Sequence, residues 1–317
     1  MIIGRRTFVG FGLAGVIAAM GSISARAQDR RREPVWESQA SGRPAEGDAP
    51  MSLTQSEDSA QESSTSTMGS KTTPGSLEMY GYREVSDFFN IREANPQVDQ
   101  CEWEFESVAE WFTHSGEHDE VGLEQSLKYG ITDDLFVELE VTESKLGEGA
   151  NQGNGDIVLL LFNRFVRETE CLPALAALLE VRLPTGDGSS GVDGRLNGLV
   201  TKSLTERFRA HFEGFVETAN GDPNAETGDR RHFQWGMGPG FDYAFDESTL
   251  ALINYLNRSS EENGQHNNNL LELGVVREIY HVGDIHQHVK FALDIGLDGQ
   301  EDTPNLGAKI LYSIDFK

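Results

Sequence analysis

The chain has 317 residues, and its 26 Lys and Arg face 52 Asp and Glu, for a formal charge of −26. That balance excludes a nucleic-acid partner, because phosphate binding needs clustered bases. The length accommodates one large domain with a tail, and a negative mean hydropathy does not exclude a membrane barrel, whose strands turn only alternate residues toward lipid.

The predicted elements begin with Arg5 and Arg6, an apolar run over residues 8–20, and the small-x-small triplet Ala25-Arg26-Ala27. Together they read as a signal peptide over residues 1–27, cut after Ala27. A retained anchor is the alternative, but the run falls short of the roughly 20 residues that span a bilayer as a helix. Arg5-Arg6-Thr7-Phe8-Val9 also resembles a twin-arginine export motif. That route carries folded cargo and a lipid-facing barrel should not fold in the cytoplasm, so the pair reads better as an ordinary basic start. Residues 28–79 are rich in Ser, Thr, Glu, Gln, Gly and Pro, which predicts a disordered low-complexity tail. Residues 80–101 carry Tyr80, Tyr82, Phe88 and Phe89 and form a bridge or plug segment.

Residues 102–317 follow a period of two, the strand signal. Trp103, Phe105, Ala109 and Trp111 alternate with Glu102, Glu104, Glu106 and Glu110, and similar runs follow at 121–129, 135–142, 233–246, 289–298 and 308–316. Less regular strands are expected to start near Asp156, Ala174, Gly198, Phe208, Thr249 and Asn269. This predicts an all-β fold, a transmembrane antiparallel β-barrel of about 12 strands, each long enough to cross a bilayer when tilted. The connections point the same way. Tight turns at 130–133, 205–207 and 246–248 alternate with long Gly/Asn-rich loops at 145–154, 186–197, 219–230 and 259–268, the bacterial outer-membrane pattern. An even strand number puts both chain ends on the periplasmic side. A soluble sandwich or closed barrel is the competing reading, but its strands average only about 5–6 residues.

Four short pieces carry a family resemblance: Tyr129-Gly130-Ile131-Thr132-Asp133-Asp134-Leu135, Gly155-Asp156-Ile157, Leu183-Pro184-Thr185-Gly186-Asp187 and Ile295-Gly296-Leu297-Asp298-Gly299. On these, residues 117–317 resemble the outer-membrane barrel family associated with the meta-cleavage pathway of phenol degradation. The resemblance implies a transporter-like barrel that passes small compounds, aromatic ones among the candidates, and it brings no catalytic motif. One departure is the terminus, where Lys317 follows Phe316.

Alternation assigns the side chains expected to line a lumen: Glu102, Glu104, Glu106, Glu110, Glu124, Lys128, Glu138, Glu140, Asp156, Arg164, Arg209, His211, Glu213, Asp242, Glu272, Lys290, Asp294 and Lys309. Acids outnumber bases among them. The expectation is a narrow acidic channel passing small molecules, cations among them, with the Glu102–Glu110 run mattering most for selectivity. The alternatives are a non-conducting structural or adhesion barrel and, behind it, a barrel hydrolase built on Ser203, His211 and Glu213. No Gly-x-Ser-x-Gly elbow supports catalysis, so the chain is read as a non-enzyme without cofactor. His286 and His288 share the Lys290 face, and two such imidazoles can bind metal; wet rim residues are the preferred reading, so no metal is assigned. The 186–194 loop lacks the spaced acids of an EF-hand. Cys101 and Cys171 are a candidate disulfide pair, since both fall on the periplasmic side. The partners expected are outer-membrane lipid, small solutes and the barrel assembly machinery.

Overall fold

The computed structural model describes residues 84–114, 119–146, 154–187, 189–219, 231–261, 263–298 and 303–317. The signal peptide and low-complexity tail expected over 1–79 lie outside the described residues. Twelve strands follow one another: β1 (Trp103–Thr113), β2 (Glu120–Thr132), β3 (Leu135–Leu146), β4 (Ile157–Val166), β5 (Ala174–Leu183), β6 (Asp193–Ser203), β7 (Phe208–Thr218), β8 (Phe233–Asp246), β9 (Thr249–Arg258), β10 (Asn268–Val282), β11 (Ile285–Gly296) and β12 (Leu306–Phe316). Each pairs antiparallel with its chain neighbours, and β1 pairs with β12, from Trp103 against Phe316 to Thr113 against Leu306. The sheet is therefore closed and has no edge, which removes the unpaired backbone that lipid would not tolerate.

Side-chain period decides the two faces. In β8, Met237, Phe241, Tyr243 and Phe245 are exposed outward, whereas Gly236, Gly238, Gly240, Asp242 and Ala244 are buried inward. Leu159, Leu161, Phe212, Ile253 and Phe291 are likewise exposed on other strands. An apolar surface this continuous requires hydrocarbon rather than water outside. Trp103 and Tyr129 pack with ring centroids 4.5 Å apart. With the exposed Tyr243, Phe245, Tyr280 and Phe316, they place aromatics at one end of the strands, where a membrane barrel carries an interfacial girdle.

That end also holds the short turns, at residues 133–134, 247–248 and 283–284, together with the entry to β1 and the end of β12. The strand ends that flank the longer connections, such as Ile157, Leu183, Asp193, Thr218, Phe233, Arg258, Asn268, Gly296 and Leu306, lie at the other end. Some boundaries differ from expectation. β6 starts at Asp193, not near Gly198, because Asp193 and Gly194 pair with Arg182 and Val181 of β5; polar residues are tolerated there on a wet inner face. β2 runs through Gly130 to Thr132, with an irregularity between those two residues, and the turn moves to Asp133-Asp134.

Candidate functional site: an occluded lumen with an acidic vestibule

Residues 84–101 do not pair into the sheet; residues 84–98 run inside the barrel, and 99–101 are exposed at its mouth. Val85, Phe88 and Phe89 pack against inward Leu250, Leu252, Val276, Ala292 and Leu311. Ile91 packs with Phe215, Leu256 and Leu270, and Ala94 and Val98 with Phe136, Leu160, Phe162, Leu178 and Leu199. Each large apolar side chain so buried contributes about 1.5–3 kcal/mol relative to exposure. Room for the segment is built into the wall: a Cβ on Gly274 of β10 would lie 2.5 Å from the Phe89 ring.

The segment has turns but no ladder, so its backbone N–H groups need other acceptors. Side chains facing inward supply them. The amide of Asn90 donates to Glu272 at 2.9 Å, that of Arg92 to Glu213 at 2.9 Å, and that of Ala94 to the Thr201 hydroxyl at 2.8 Å. Lys309 donates to the Phe88 carbonyl at 3.0 Å. Ion pairs complete the seal. Lys128 lies 2.6 Å from Glu106, 3.4 Å from Glu104 and 3.2 Å from Asp87. Lys290 pairs with Glu84 and, at 3.1 Å, with Glu106. Arg209 bridges Glu93 at 2.6 Å and Asp242 at 2.7 Å, and Arg92 reaches Glu180 at 2.7 Å. Each of these bases is thus paired with carboxylates, as burial demands, and the buried acids outnumber them.

Above the segment, toward the long connections, lies a cavity of about 790 Å³ floored by Asp87, Phe88, Phe89, Asn90 and Arg92. Twelve acidic and six basic residues line it. Their distribution is uneven. Glu106, Glu110, Glu124, Glu138 and Glu140 come from β1, β2 and β3, which contribute no base to the lining, whereas on the β5–β9 side Arg182, Arg195, Arg231 and Arg258 stand among Glu180, Asp193, Glu217 and Glu261. One flank of the vestibule is therefore anionic and the facing flank mixed.

The residues singled out in the sequence divide into three groups. Glu106, Glu110, Glu124, Glu138, Glu140, Asp156 and Lys309 line the vestibule. Within this group Asp156 ties down the β5–β6 connection, accepting from the Gly186 amide at 2.9 Å and the Ser189 hydroxyl at 2.7 Å. Lys128, Arg209, Glu213, Glu272, Lys290 and Asp294 are buried against the inner segment. Glu102, Glu104 and Arg164 lie toward the short-turn end, where Glu102 accepts from the Asp99 amide at 2.6 Å and Arg164 pairs with Asp134 at 2.6 Å. His211 is held between Thr201 and Asp242, at 2.9 and 2.8 Å, while the Ser203 hydroxyl donates to Glu168 at 3.0 Å. Ser203, His211 and Glu213 thus take separate partners. Cys101 and Cys171 are free and exposed. The first precedes β1 and the second lies in the β4–β5 connection, and no disulfide joins them in this structure.

Sequence reading missed the vestibule arginines Arg195 and Arg258 and every contact of residues 84–98. A signal was present. Val158, Leu160 and Phe162 in β4 and Leu250, Leu252 and Leu256 in β9 are apolar on the inward face too, which a water-filled lumen would not favour.

No family model matches the chain, and no curated protein matches it. The meta-pathway family therefore rests on the short motifs alone. Among solved structures, an outer-membrane channel from Pseudomonas putida F1 is similar over 74% of this chain and 100% of its own, with 14% identity and a TM-score of 0.54. The NanC porin aligns with 67% of this chain and 99% of its own, at 9% identity and a TM-score of 0.46. The chain shares the barrel fold of the Pseudomonas channel.

Proposed function

We propose that the chain is an outer-membrane channel for small solutes, with an acidic vestibule that favours cations and a floor formed by the inner segment, residues 84–98. The observation that carries this reading is the carboxylate flank on β1–β3 facing a half-open cavity. Fixed charge on a low-dielectric wall concentrates counter-ions. The fold likeness to a channel is consistent with it, as is the outward apolar surface. Residues 1–27 would direct export, the long connections would face the medium, and lipid and the barrel assembly machinery would be the partners. Conduction rather than catalysis suits the interior, because its polar groups are spent on holding the inner segment.

The same segment favours a second reading, a non-conducting structural barrel, since three apolar clusters fasten it to the wall. Single-channel recording on the mature, refolded protein separates the two. The proposal expects discrete conductance steps that grow when the segment is loosened. Silence from verified barrels, with the segment loosened as well as docked, would establish the structural reading instead.

A further inference from the structure

At the short-turn end, the β10–β11 hairpin brings together three histidines and a carboxylate. His286 and His288 are two residues apart on β11, so strand period turns both inward, and they are 1% and 0% exposed. Glu278 of β10 pairs with His288 in register, and the register then shifts, so that Tyr280 faces Gln287 and Ile279 is the extra residue. Such bulges re-aim side chains and recur beside functional sites. Here the Glu278 carboxylate is aimed back across the hairpin.

Three imidazole nitrogens converge on one oxygen of Glu278. His286 Nδ1 lies 2.9 Å from Glu278 Oε1, His281 Nδ1 3.6 Å and His288 Nε2 3.9 Å. Only the first is a hydrogen-bond length. The longer separations suit donors arranged around a small cation, since ligands 2.0–2.1 Å from a tetrahedral metal stand about 3.4 Å apart. One donor atom each from Glu278, His286 and His288 falls within 4.8 Å of the others.

The surroundings orient the ligands. His288 Nδ1 lies 3.3 Å from Asp315 Oδ2 and 3.3 Å from the Ser313 hydroxyl, both on β12. A carboxylate on the far nitrogen fixes the ring and its tautomer, leaving Nε2 to face Glu278; metal-binding histidines are held this way. We propose that Glu278, His286 and His288 bind one divalent transition-metal ion of the zinc or copper class, with Asp315 as the positioning partner of His288. Two imidazoles and one carboxylate select such ions over calcium and magnesium, which prefer all-oxygen sites. Glu84, the first described residue of the inner segment, also lies within 4.8 Å of His288 and Asp315. The ion would sit where that segment meets the wall, and would brace it there.

The test is calorimetric titration of Zn²⁺ into the mature, detergent-refolded protein with both cysteines alkylated. One Zn²⁺ per chain is expected. His286→Ala/His288→Ala should weaken binding at least 100-fold, and Asp315→Asn by 10–100-fold, the range for a lost outer-shell partner. Absence of binding in the unaltered protein, or unchanged affinity in the double variant, would overturn the proposal. Should the double variant not refold, electron paramagnetic resonance of Cu²⁺ on the unaltered protein decides. Hyperfine structure from two imidazole nitrogens is expected, and an oxygen-only signal refutes the site.

Discussion

The main-chain amide of Arg92 donates to a carboxylate oxygen of Glu213, 2.9 Å away. A wall residue on β7 thereby satisfies the backbone of a segment that has no ladder of its own. The same logic applies to Glu272 with Asn90 and Thr201 with Ala94. Much of the inward acidity holds the inner segment before it can act on any ion in transit.

Replacing that acceptor should loosen the segment without opening the barrel. Glu213→Leu strands a buried N–H, which costs about 1–3 kcal/mol, whereas Glu213→Gln keeps an oxygen. Hydrogen exchange of residues 85–94 should accelerate in the Leu variant and stay near normal in the Gln variant. Equal protection in both would mean that Glu213 does not hold the segment.

Gly274 and Phe89 provide a steric counterpart. A Cβ at 274 would lie 2.5 Å from the Phe89 ring and 2.7 Å from Leu252. Gly274→Ala should lower the melting temperature and speed exchange in residues 85–94. In a Phe89→Ala background the same change should cost less, though not nothing, because the Phe89 ring is gone while Leu252 still crowds the new Cβ, and contacting sites are non-additive. Additive penalties would assign the crowding to Leu252 alone.

The fold was legible in the sequence because lipid outside and a closed sheet inside impose a period of two, plainest in β1, β8 and β11. The alternation of turn lengths was legible for the same reason: hairpins at one end need only join neighbours. The interior was not. Alternation assigns Glu104 and Lys128 to one face, but cannot show that they lie 3.4 Å apart or that Asp87 and Glu106 share the same lysine. The expectation that the Glu102–Glu110 run governs selectivity changes accordingly. Glu104 and Glu106 are paired with Lys128 and Lys290, and of the run Glu106 and Glu110 are the members that line the vestibule. Tertiary placement of residues 84–98 decides this, and no periodicity encodes it.

The β2–β3 turn should carry an acid-sensitive clamp. Partial burial pushes the Asp134 carboxyl up, but hydrogen bonds from Arg167 and Arg164, and their charge, outweigh it and hold it below the ordinary aspartate value. A depressed folded value stabilises the fold above the unfolded aspartate range, near pH 4, and that contribution fades as pH falls through the folded value. Asp134→Asn should therefore lower the melting temperature at pH 7, and the gap from the unaltered protein should narrow at pH 3. A gap independent of pH would remove the charged clamp.

The most direct test of the central claim is the reversal potential across a planar bilayer under a salt gradient. The unaltered protein is compared with Glu110→Gln/Glu124→Gln/Glu140→Gln, all three on the anionic flank of the vestibule. The account predicts cation preference that weakens as salt rises, since screening shortens to about 3 Å at 1 M. It also predicts that the triple variant shifts the potential toward zero, because the acids left in the lining then outnumber the bases by less. Anion preference in the unaltered protein, or a potential indifferent to the three substitutions, would contradict it.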